Sequence, residues 1–237
     1  MVAVKQAREG IIKYIKDKKL TIGDKLPPET VFTEHLKVSR LTLRESLKIL
    51  KGEGIVHTIH GKGTFISSDT THIKDTIDTN LSITEMIIAA GYEPGVSFFQ
   101  RNLVKSDEEI AKNLGIHEGA DVLVCRRVRT ADGKPVVYSI DYFAPQLVSG
   151  FLKVEDENVS IYNFIEKDCG ITIENSFTEL IPFKCTKELS EKLDYTPGGL
   201  LFLLKQKTVD IMGRHLAYSV EYLRPDCFKI FVNRRRR

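Results

Sequence analysis

Two arginines four residues apart and a basic glycine turn mark the part of the chain best suited to bind a polyanion. Arg40 and Arg44 lie in the helix-like stretch VSRLTLRESLKILKGEG, and residues 60–63 read HGKG. Arginine can donate two hydrogen bonds to guanine O6 and N7, and glycine lets a backbone approach phosphates closely. A lone pair of arginines at this spacing usually belongs to a solvated helix face. Its combination with a basic glycine turn instead indicates nucleic-acid contacts.

A second pair of arginines lies on a segment with the pattern of a β-strand. Cys125, Arg127 and Arg129 alternate onto one face, and both faces of this segment carry apolar residues. We therefore expect both faces to be covered, and a buried guanidinium requires a counter-charge. Either internal acids such as Asp141 and Glu221 supply that charge, or a bound anion does.

Apolar periodicity and turn signals predict three helices and a hairpin at the start of the chain. We expect helices over about 3–19 and 28–36, and a third helix that Ser39 caps and Gly54 ends. The β-rich arms around the HGKG turn predict a hairpin. This order is a winged helix-turn-helix, in which the third helix enters the major groove and the hairpin contacts the neighbouring backbone or minor groove.

Charge is spread unevenly over the 237 residues. Residues 1–66 carry 13 Lys and Arg against 7 Asp and Glu, whereas the remainder carries 22 against 25. This asymmetry favours a polyanion-binding module attached to a second unit. The four cysteines form no C-x-x-C pair and the histidines no H-x-x-x-H pair, so we expect no metal, no cofactor and a reducing cytoplasm. The longest apolar run is too short to span a membrane.

The stretch over residues 23–66 resembles the DNA-binding domain of the GntR family of bacterial transcription regulators. Its G-D-x-L-P-x-E, V-S-R-x-T-x-R-E and G-K-G-T-F elements carry the resemblance. Thr30 stands where family members often have arginine, which removes one contact, and Leu41 replaces a small polar residue and can read a thymine methyl. The resemblance implies DNA contacts from the third helix and the wing: Ser39, Arg40, Leu41, Thr42, Arg44, His60, Gly61 and Lys62.

The chain repeats itself beyond a polar segment at 67–80, which we predict to be a linker. Residues 105–145 align with residues 184–225, and each copy reads helix, glycine turn, apolar strand, hairpin turn and a second strand. Two copies do not make a solenoid. We predict a single α+β domain over 81–237, whose two related hairpins share one antiparallel sheet.

Two helix starts within this second domain carry capping residues. The sequence SITE at 82–85 is a capping-box pattern, and Ser160 opens another helix that contains Tyr162. Taken singly, each is only a helix start, but exposed backbone N–H groups at such ends also suit anions.

Residues from about 81 to 234 resemble the UTRA effector domain of the HutC subfamily of GntR regulators, a fold shared with chorismate lyase. In members that sense amino-sugar phosphates, an R-x-R strand, a helix-opening threonine and an S-I-Y motif hold the phosphate. The resemblance implies that Thr84, Arg127, Arg129, Ser160 and Tyr162 form an effector site here.

The positions that read the sugar in those family members are not retained. Two family glutamates fall on Ser139 and Ala217, and a tyrosine falls on Leu223. The resemblance therefore implies an anionic group on the effector but not an amino-sugar body. We expect the remaining contacts from a group of polar residues on the same strands: Asp141, Tyr142, Glu221 and Arg224.

These patterns together predict a cytoplasmic, homodimeric transcription regulator, a repressor, which binds a palindromic operator in double-stranded DNA and responds to a small anionic metabolite. Residues 1–66 form the winged helix-turn-helix, and residues 81–237 form the effector-binding and dimerisation domain. The alternative is an enzyme of chorismate-lyase-like fold that carries a DNA-binding domain, although the sequence shows no nucleophile–base pair. A further alternative is a second domain that only dimerises.

Overall fold

The computed structural model describes residues 2–67, 72–76, 80–151 and 154–231. The chain forms two compact units. The first comprises Met1–Lys74 and Met86–Tyr92, and the second comprises Asp75–Glu85 and Glu93–Arg237.

The first unit contains three helices and a hairpin, as the sequence predicted. Its elements are α1 (Val2–Asp17), α2 (Glu29–Leu36), α3 (Arg40–Gly52), β1 (Val56–Ile59) and β2 (Gly63–Ile66). Helix α3 begins where predicted, because the Ser39 side chain accepts a hydrogen bond from the Thr42 backbone N–H at 3.1 Å. It ends at Gly52 rather than at Gly54, which instead adopts a left-handed φ of 68° in the following turn.

The core of the first unit is apolar and joins all three helices to the hairpin. Ile11 and Ile15 of α1, Leu43 and Leu50 of α3 and Ile66 of β2 are fully or almost fully buried within it. Leu43 and Leu50 lie on one side of α3, so the opposite side of this helix remains at the surface.

The second unit is built on a six-stranded antiparallel sheet. The strand order is β4-β5-β6-β9-β8-β7, so the three strands of each half are consecutive in the chain and the halves meet at β6 and β9. The strands are β4 (Pro94–Lys105), β5 (Asp121–Ala131), β6 (Lys134–Phe143), β7 (Ile173–Lys184), β8 (Leu200–Asp210) and β9 (His215–Leu223).

A separate two-stranded sheet pairs β3 (Ile73–Thr76) with β10 (Phe228–Phe231). Strand β3 lies inside the segment 67–80 that the sequence predicted to be a linker. Residues 68–71 and 77–79 of that prediction lie outside the described residues.

The described residues after β3 contain five helices. They are α4 (Ile83–Ala89), α5 (Glu108–Leu114), α6 (Pro145–Phe151), α7 (Ile161–Asn163), which continues into a π-helical turn (Phe164–Asp168), and α8 (Lys187–Leu193). Helices α5 and α8 are equivalent in the two repeats. Asp107 and Thr186 cap their starts, and left-handed Gly115 and Asp194 end them. The predicted pseudo-symmetric α+β unit is therefore confirmed.

Both faces of the sheet are covered, which confirms the expectation drawn from strand β5. Leu123 and Cys125 pack with α6 and the π-helical turn on one face. Val122 packs with α5 and Val128 with α8 on the other.

Candidate functional sites

The start of α3 presents the predicted DNA-contact side chains at the surface. Arg40, Leu41 and Arg44 are exposed, and Leu41, with 72% of its surface accessible, is the most exposed apolar residue of the helix. The Ser39 and Thr42 hydroxyls lie 2.8 Å apart, so Ser39 organises the helix start. Burial of the opposite side of α3 fixes this outward direction, which suits insertion into a groove.

A carboxylate orients one of the two arginines of α3. Arg44 Nε donates a hydrogen bond of 2.9 Å to the side chain of Glu29, the first residue of α2. The Arg44 side chain is still 65% exposed and remains accessible to DNA. Sequence reasoning did not single out Glu29 as the partner of Arg44, although this residue ends the G-D-x-L-P-x-E motif.

The wing is a tight hairpin in which two glycines adopt a positive φ. His60, Gly61 and Lys62 form the exposed turn, where Gly61 has a left-handed φ of 73°. Gly63 has a φ of 118°, and a Cβ there would lie 2.7 Å from Lys25 Cε. Lys25 therefore lies against the base of the wing, and its exposed charge extends the basic surface that the sequence predicted.

In the second unit, Arg127 and Arg129 form hydrogen bonds to two segments that are distant from β5 in sequence. Arg129 donates through Nη2 to the Thr84 hydroxyl at the start of α4, and through Nη1 to the Asn158 carbonyl at 3.3 Å. Arg127 Nη1 donates to the Val159 carbonyl at 2.8 Å. The R-x-R strand thus meets the threonine and the loop before Ser160 that the family resemblance grouped with it.

The two capped helix starts lie in contact at this place. Ser82 and Glu85 form the predicted capping box, since the Glu85 carboxylate accepts from the Ser82 backbone N–H at 3.0 Å and the Glu85 N–H donates to the Ser82 hydroxyl at 3.2 Å. Ser160 caps α7 and donates to the Ser82 hydroxyl at 3.2 Å. Ser160 is itself buried. Two helix starts, each unremarkable alone, therefore converge on one arginine pair.

Arg127 has an internal counter-charge that leaves one of its donors unpaired. Its Nη2 lies 3.5 Å from Asp141 Oδ2, while Asp141 accepts shorter bonds from Ser139 at 3.0 Å and Ser219 at 2.7 Å. Arg127 is only 5% exposed, yet its Nε has no hydrogen-bond partner among the described residues. An unpaired buried donor costs about 1–3 kcal/mol. The internal acid therefore satisfies Arg127 only in part.

Glu221 lies beside this pair, opposite Ser139 on the neighbouring strand. Burial, with the charges of Asp141 and Asp75 adding to it, raises the pKa of Glu221 to about 8. Burial, with the repulsion of Arg127, lowers the pKa of Arg129 to about 10, so Arg129 is still protonated at neutral pH. The site therefore combines two cationic side chains with one carboxyl group, that of Glu221, whose pKa is raised.

Tyr162 lies over the second half of the sheet, where the repeat replaces arginine by neutral residues. Its hydroxyl donates to Asn80 Oδ1 at 2.8 Å and accepts from Gln206 Nε2 at 2.7 Å. Gln206 and Thr208 are the repeat equivalents of Arg127 and Arg129. On the same face, the first half of the sheet thus presents arginines and the second half presents neutral hydrogen-bonding side chains.

Two residues expected at this site lie elsewhere. Tyr142 alternates with Asp141 along β6 and therefore faces the opposite side of the sheet, where its ring stacks on Tyr218 at 5.9 Å. The Arg224 guanidinium donates to the carbonyls of Pro135, Leu193 and Asp194 and pairs with Asp226, so its role is structural. Both expectations were wrong.

Burial raises the pKa of Cys125, the cysteine on the face of Arg127, to about 12, so its sulfur stays a thiol. Within the described ranges, no three His, Cys, Asp or Glu side chains are placed to hold a metal ion. No helix in the part of the chain that the structure describes is long and apolar enough to cross a membrane.

Comparison with known protein families divides the chain into an N-terminal and a C-terminal part, as the sequence analysis did. The chain matches the bacterial regulatory proteins of the gntR family over residues 3–66 and the UTRA domain over residues 89–229. It is 30% identical to the HTH-type transcriptional repressor NagR of Bacillus subtilis over 221 residues, which cover 93% of this chain and 90% of that protein.

More distant similarities extend over most of the chain as well. The HTH-type transcriptional regulator GgaR of Escherichia coli is 22% identical over 225 residues, or 95% of this chain and 84% of that protein. The crystal structure of PhnF from Mycobacterium smegmatis has a TM-score of 0.64 at 23% identity and covers 95% of this chain and 100% of its own. This last likeness shows the fold.

Proposed function

Because the chain belongs to the GntR family of bacterial transcription regulators and carries a UTRA domain, we propose that it is a repressor whose affinity for operator DNA is set by a small anionic metabolite. The DNA contacts come from the start of α3 and from the wing. The metabolite binds at Arg127, Arg129, Thr84 and Ser160. The protein acts in the cytoplasm, where its DNA lies.

The observation that carries this proposal is the unpaired Nε of buried Arg127. Arg127 and Arg129 already use their terminal nitrogens on backbone carbonyls and on Thr84, and Asp141 is 3.5 Å away. An oxyanion at this place pairs the remaining donor, and charge-assisted hydrogen bonds to arginine are among the strongest available to a protein. The buried hydroxyl of Ser160, which donates to Ser82 in the ligand-free protein, turns to donate to the anion instead.

The DNA-binding part of the proposal requires two copies of the chain. One winged helix contacts few base pairs, so specific binding calls for a dimer on a palindromic site. The internal two-fold of the six-stranded sheet makes the second unit a reasonable dimerisation element, since a surface with repeated halves suits an isologous contact.

Effector control follows from the place of Thr84 at the start of α4. This helix begins in the second unit and its later residues, from Met86, belong to the first. An anion that binds Thr84 together with Arg129 therefore acts on an element that both units share. By linkage, an effector that weakens DNA binding must itself bind the DNA-bound protein more weakly, typically by about 1–3 kcal/mol.

The test combines ligand screening with DNA binding in matched variants. An operator is selected from random duplex DNA, and full-length protein is screened by thermal shift against phosphorylated sugars, carboxylates and nucleotides. Each ligand that raises the melting temperature is then titrated into the protein–operator complex in gel-shift assays. Arg127→Ala is compared with Arg126→Ala. Arg126 is the adjacent residue of β5 and its side chain lies on the opposite face of the strand.

We expect Arg127→Ala to abolish ligand binding and derepression while operator affinity of the ligand-free protein stays within about twofold. Arg126→Ala should respond like the wild type. Retained ligand affinity in a well-folded Arg127→Ala protein would contradict the anion site. Turnover of the ligand by the wild type would favour the enzyme instead.

A further inference from the structure

The arginine pair of the candidate effector site shares its buried place with one carboxylate of the protein. Arg127 and Arg129 are 5% and 2% exposed, and Asp141 is 1% exposed. Ser219 donates to Asp141 Oδ1 at 2.7 Å and Ser139 donates to Oδ2 at 3.0 Å, so both carboxylate oxygens accept hydrogen bonds. Such bonds stabilise the charged form of a carboxyl group, as does the Arg127 guanidinium 3.5 Å away. Asp141 is therefore an anion built into the site.

The charges in this buried space leave room for one further negative charge. The two guanidinium groups bring two positive charges, and Asp141 offsets one of them. Glu221, the neighbouring acid, adds little charge at pH 7, because burial raises its pKa to about 8. A ligand with one negative charge makes the site neutral. A second negative charge on the ligand has no positive partner, and burying an unpaired charge is costly.

Other charged groups near the arginine pair do not raise this limit. Arg101 of β4 donates to two backbone carbonyls at the end of α6 and just beyond it, at 2.7 and 2.8 Å, so its guanidinium is held there. Asp156, which acts on Arg129, and Asp75, which acts on Glu221, can add only negative charge. The site therefore suits a monoanion better than a dianion.

The hydrogen-bond donors that can turn to a ligand also suit a small anion. Arg127 Nε has no partner among the described residues, and the Thr84 hydroxyl, which accepts from Arg129, keeps its own hydrogen to donate. Ser160 adds a third donor when it turns away from Ser82. Three donors give each of the two oxygens of a carboxylate at least one bond, with one to spare. The three terminal oxygens of a phosphate monoester share more charge and would receive only one bond each.

We propose that the anionic group of the effector is a carboxylate, and that Asp141 selects it against phosphate monoesters. This inference rests on the proposed function, because it takes the anion at Arg127 and Arg129 as given. It narrows the ligands of that site to metabolites that carry a carboxylate, and it gives Asp141 the role of a selectivity residue.

The position of Asp141 sets how strongly it opposes a second negative charge on the ligand. Its Oδ2 lies 3.5 Å from Arg127 Nη2, and a ligand oxygen bonded to Nε of the same guanidinium lies about 6 Å from it. At this separation and an effective dielectric constant of about 20, the repulsion of one added charge corresponds to about 100-fold in affinity. Relaxation of the site and the attraction of the arginines reduce this figure, so we expect a difference of at least about tenfold.

The experiment compares three small anions that share a methyl group and differ in charge or in the number of terminal oxygens. Acetate has one charge on two oxygens, methyl sulfate has one charge on three, and methyl phosphate has close to two charges on three at pH 7. Each is titrated into the full-length protein in thermal-shift assays at constant ionic strength, and dissociation constants follow from the concentration dependence of the stabilisation. The variants are Asp141→Asn, Arg127→Ala and, as control, Glu179→Gln, which removes one negative charge at an exposed position of β7.

We expect methyl sulfate to bind the wild type at least about tenfold more tightly than methyl phosphate, which has the same shape and nearly one more charge. Acetate should bind at least as tightly as methyl sulfate. Asp141→Asn should bring the affinity ratio of methyl sulfate to methyl phosphate below about threefold, because its site has lost the repelling charge. Glu179→Gln should keep the wild-type ratio. The comparison of the three anions on the wild type decides the ligand class even if Asp141→Asn does not fold.

Equal or tighter binding of methyl phosphate by the wild type would overturn the selection of a carboxylate, and so would tighter binding of methyl sulfate than of acetate. If Arg127→Ala abolished that binding, the anion site of the proposed function would still stand. An unchanged ratio in a folded Asp141→Asn protein would overturn the role of Asp141. Stabilisation by no probe, or stabilisation that Arg127→Ala does not weaken, would overturn the anion site and the carboxylate together.

Discussion

Glu221 should make the free energy of unfolding depend on pH in a direction opposite to that of most carboxylates. Its pKa is raised from 4.5 to about 8 in the folded protein. Between these values the folded chain holds a proton that the unfolded chain has lost. Stability is therefore greatest below pH 4.5 as far as this group is concerned, falls as the pH rises towards 8, and is level above it.

The size of this effect follows from the shift. One pKa unit corresponds to 1.36 kcal/mol, so a shift from 4.5 to about 8 has an upper limit of about 5 kcal/mol. Glu221 is only partly buried by its accessible surface, and solvent reduces such penalties, so we expect on the order of 2 kcal/mol. Glutamine mimics the protonated carboxyl, and Glu221→Gln should therefore not lose this stability.

The assay is urea denaturation at pH 5 to 9, followed by circular dichroism because the chain has no tryptophan. The difference in unfolding free energy between Glu221→Gln and the wild type should grow with pH in favour of the variant and become constant above about pH 8. Glu179→Gln serves as control and should keep a constant difference from the wild type. Parallel curves for the wild type and Glu221→Gln would refute the raised pKa of Glu221.

Four other outcomes are expected. Arg40→Ala should cost about 1–3 kcal/mol of operator binding in gel-shift titrations and blur one operator position, whereas Lys62→Ala should weaken specific and non-specific DNA alike and lower the salt slope by about one. An Arg40→Ala protein with unchanged operator affinity would exclude the recognition-helix role. Arg224→Met should lower stability by about 1–3 kcal/mol in denaturation experiments, because it leaves three backbone carbonyls without their donor, yet leave ligand affinity of the folded protein unchanged. Light scattering on the full-length chain should give a dimer, and a monomer across micromolar concentrations would contradict the proposed assembly.

Local sequence patterns predicted the elements well where the deciding interactions are themselves local. The Ser39 cap and the Ser82–Glu85 capping box each depend on residues three apart, and both occur as predicted. The alternation along β5 placed Arg127 and Arg129 on one face for the same reason. The repeat of helix and hairpin also predicted the antiparallel sheet, because each copy folds from neighbouring segments.

Long-range partners were beyond what a single sequence reveals. Nothing in the spacing shows that Arg44 bonds Glu29 or that Arg127 Nε stays unpaired, because both depend on packing between distant segments. Tyr142 was misplaced because it was grouped with Asp141 by polarity, although adjacent residues of a strand face opposite sides of the sheet. Arg224 was misplaced because its acceptors are backbone carbonyls, which leave no signature in the sequence.

The arrangement of the six strands has a consequence for the order in which the second unit folds. Strands β4, β5 and β6 are sequential neighbours, as are β7, β8 and β9, so each half is a local meander, and contacts close in sequence form fast. Pairing of β6 with β9 is the one strand contact of this sheet that spans distant parts of the chain, and closing that loop costs entropy.

The candidate effector site lies at the pairing of β6 with β9, the seam between the two halves of the sheet, which we expect to form late. Asp141 and Ser219 face each other across it, 78 positions apart in the chain. Ser139 and Glu221 are paired across it as well. The site is therefore complete only after the two meanders have docked. We expect substitutions at the seam to change the unfolding rate more than the folding rate if docking follows the barrier. A bound effector would then stabilise the paired state of β6 and β9 and slow the separation of the two halves of the sheet during unfolding.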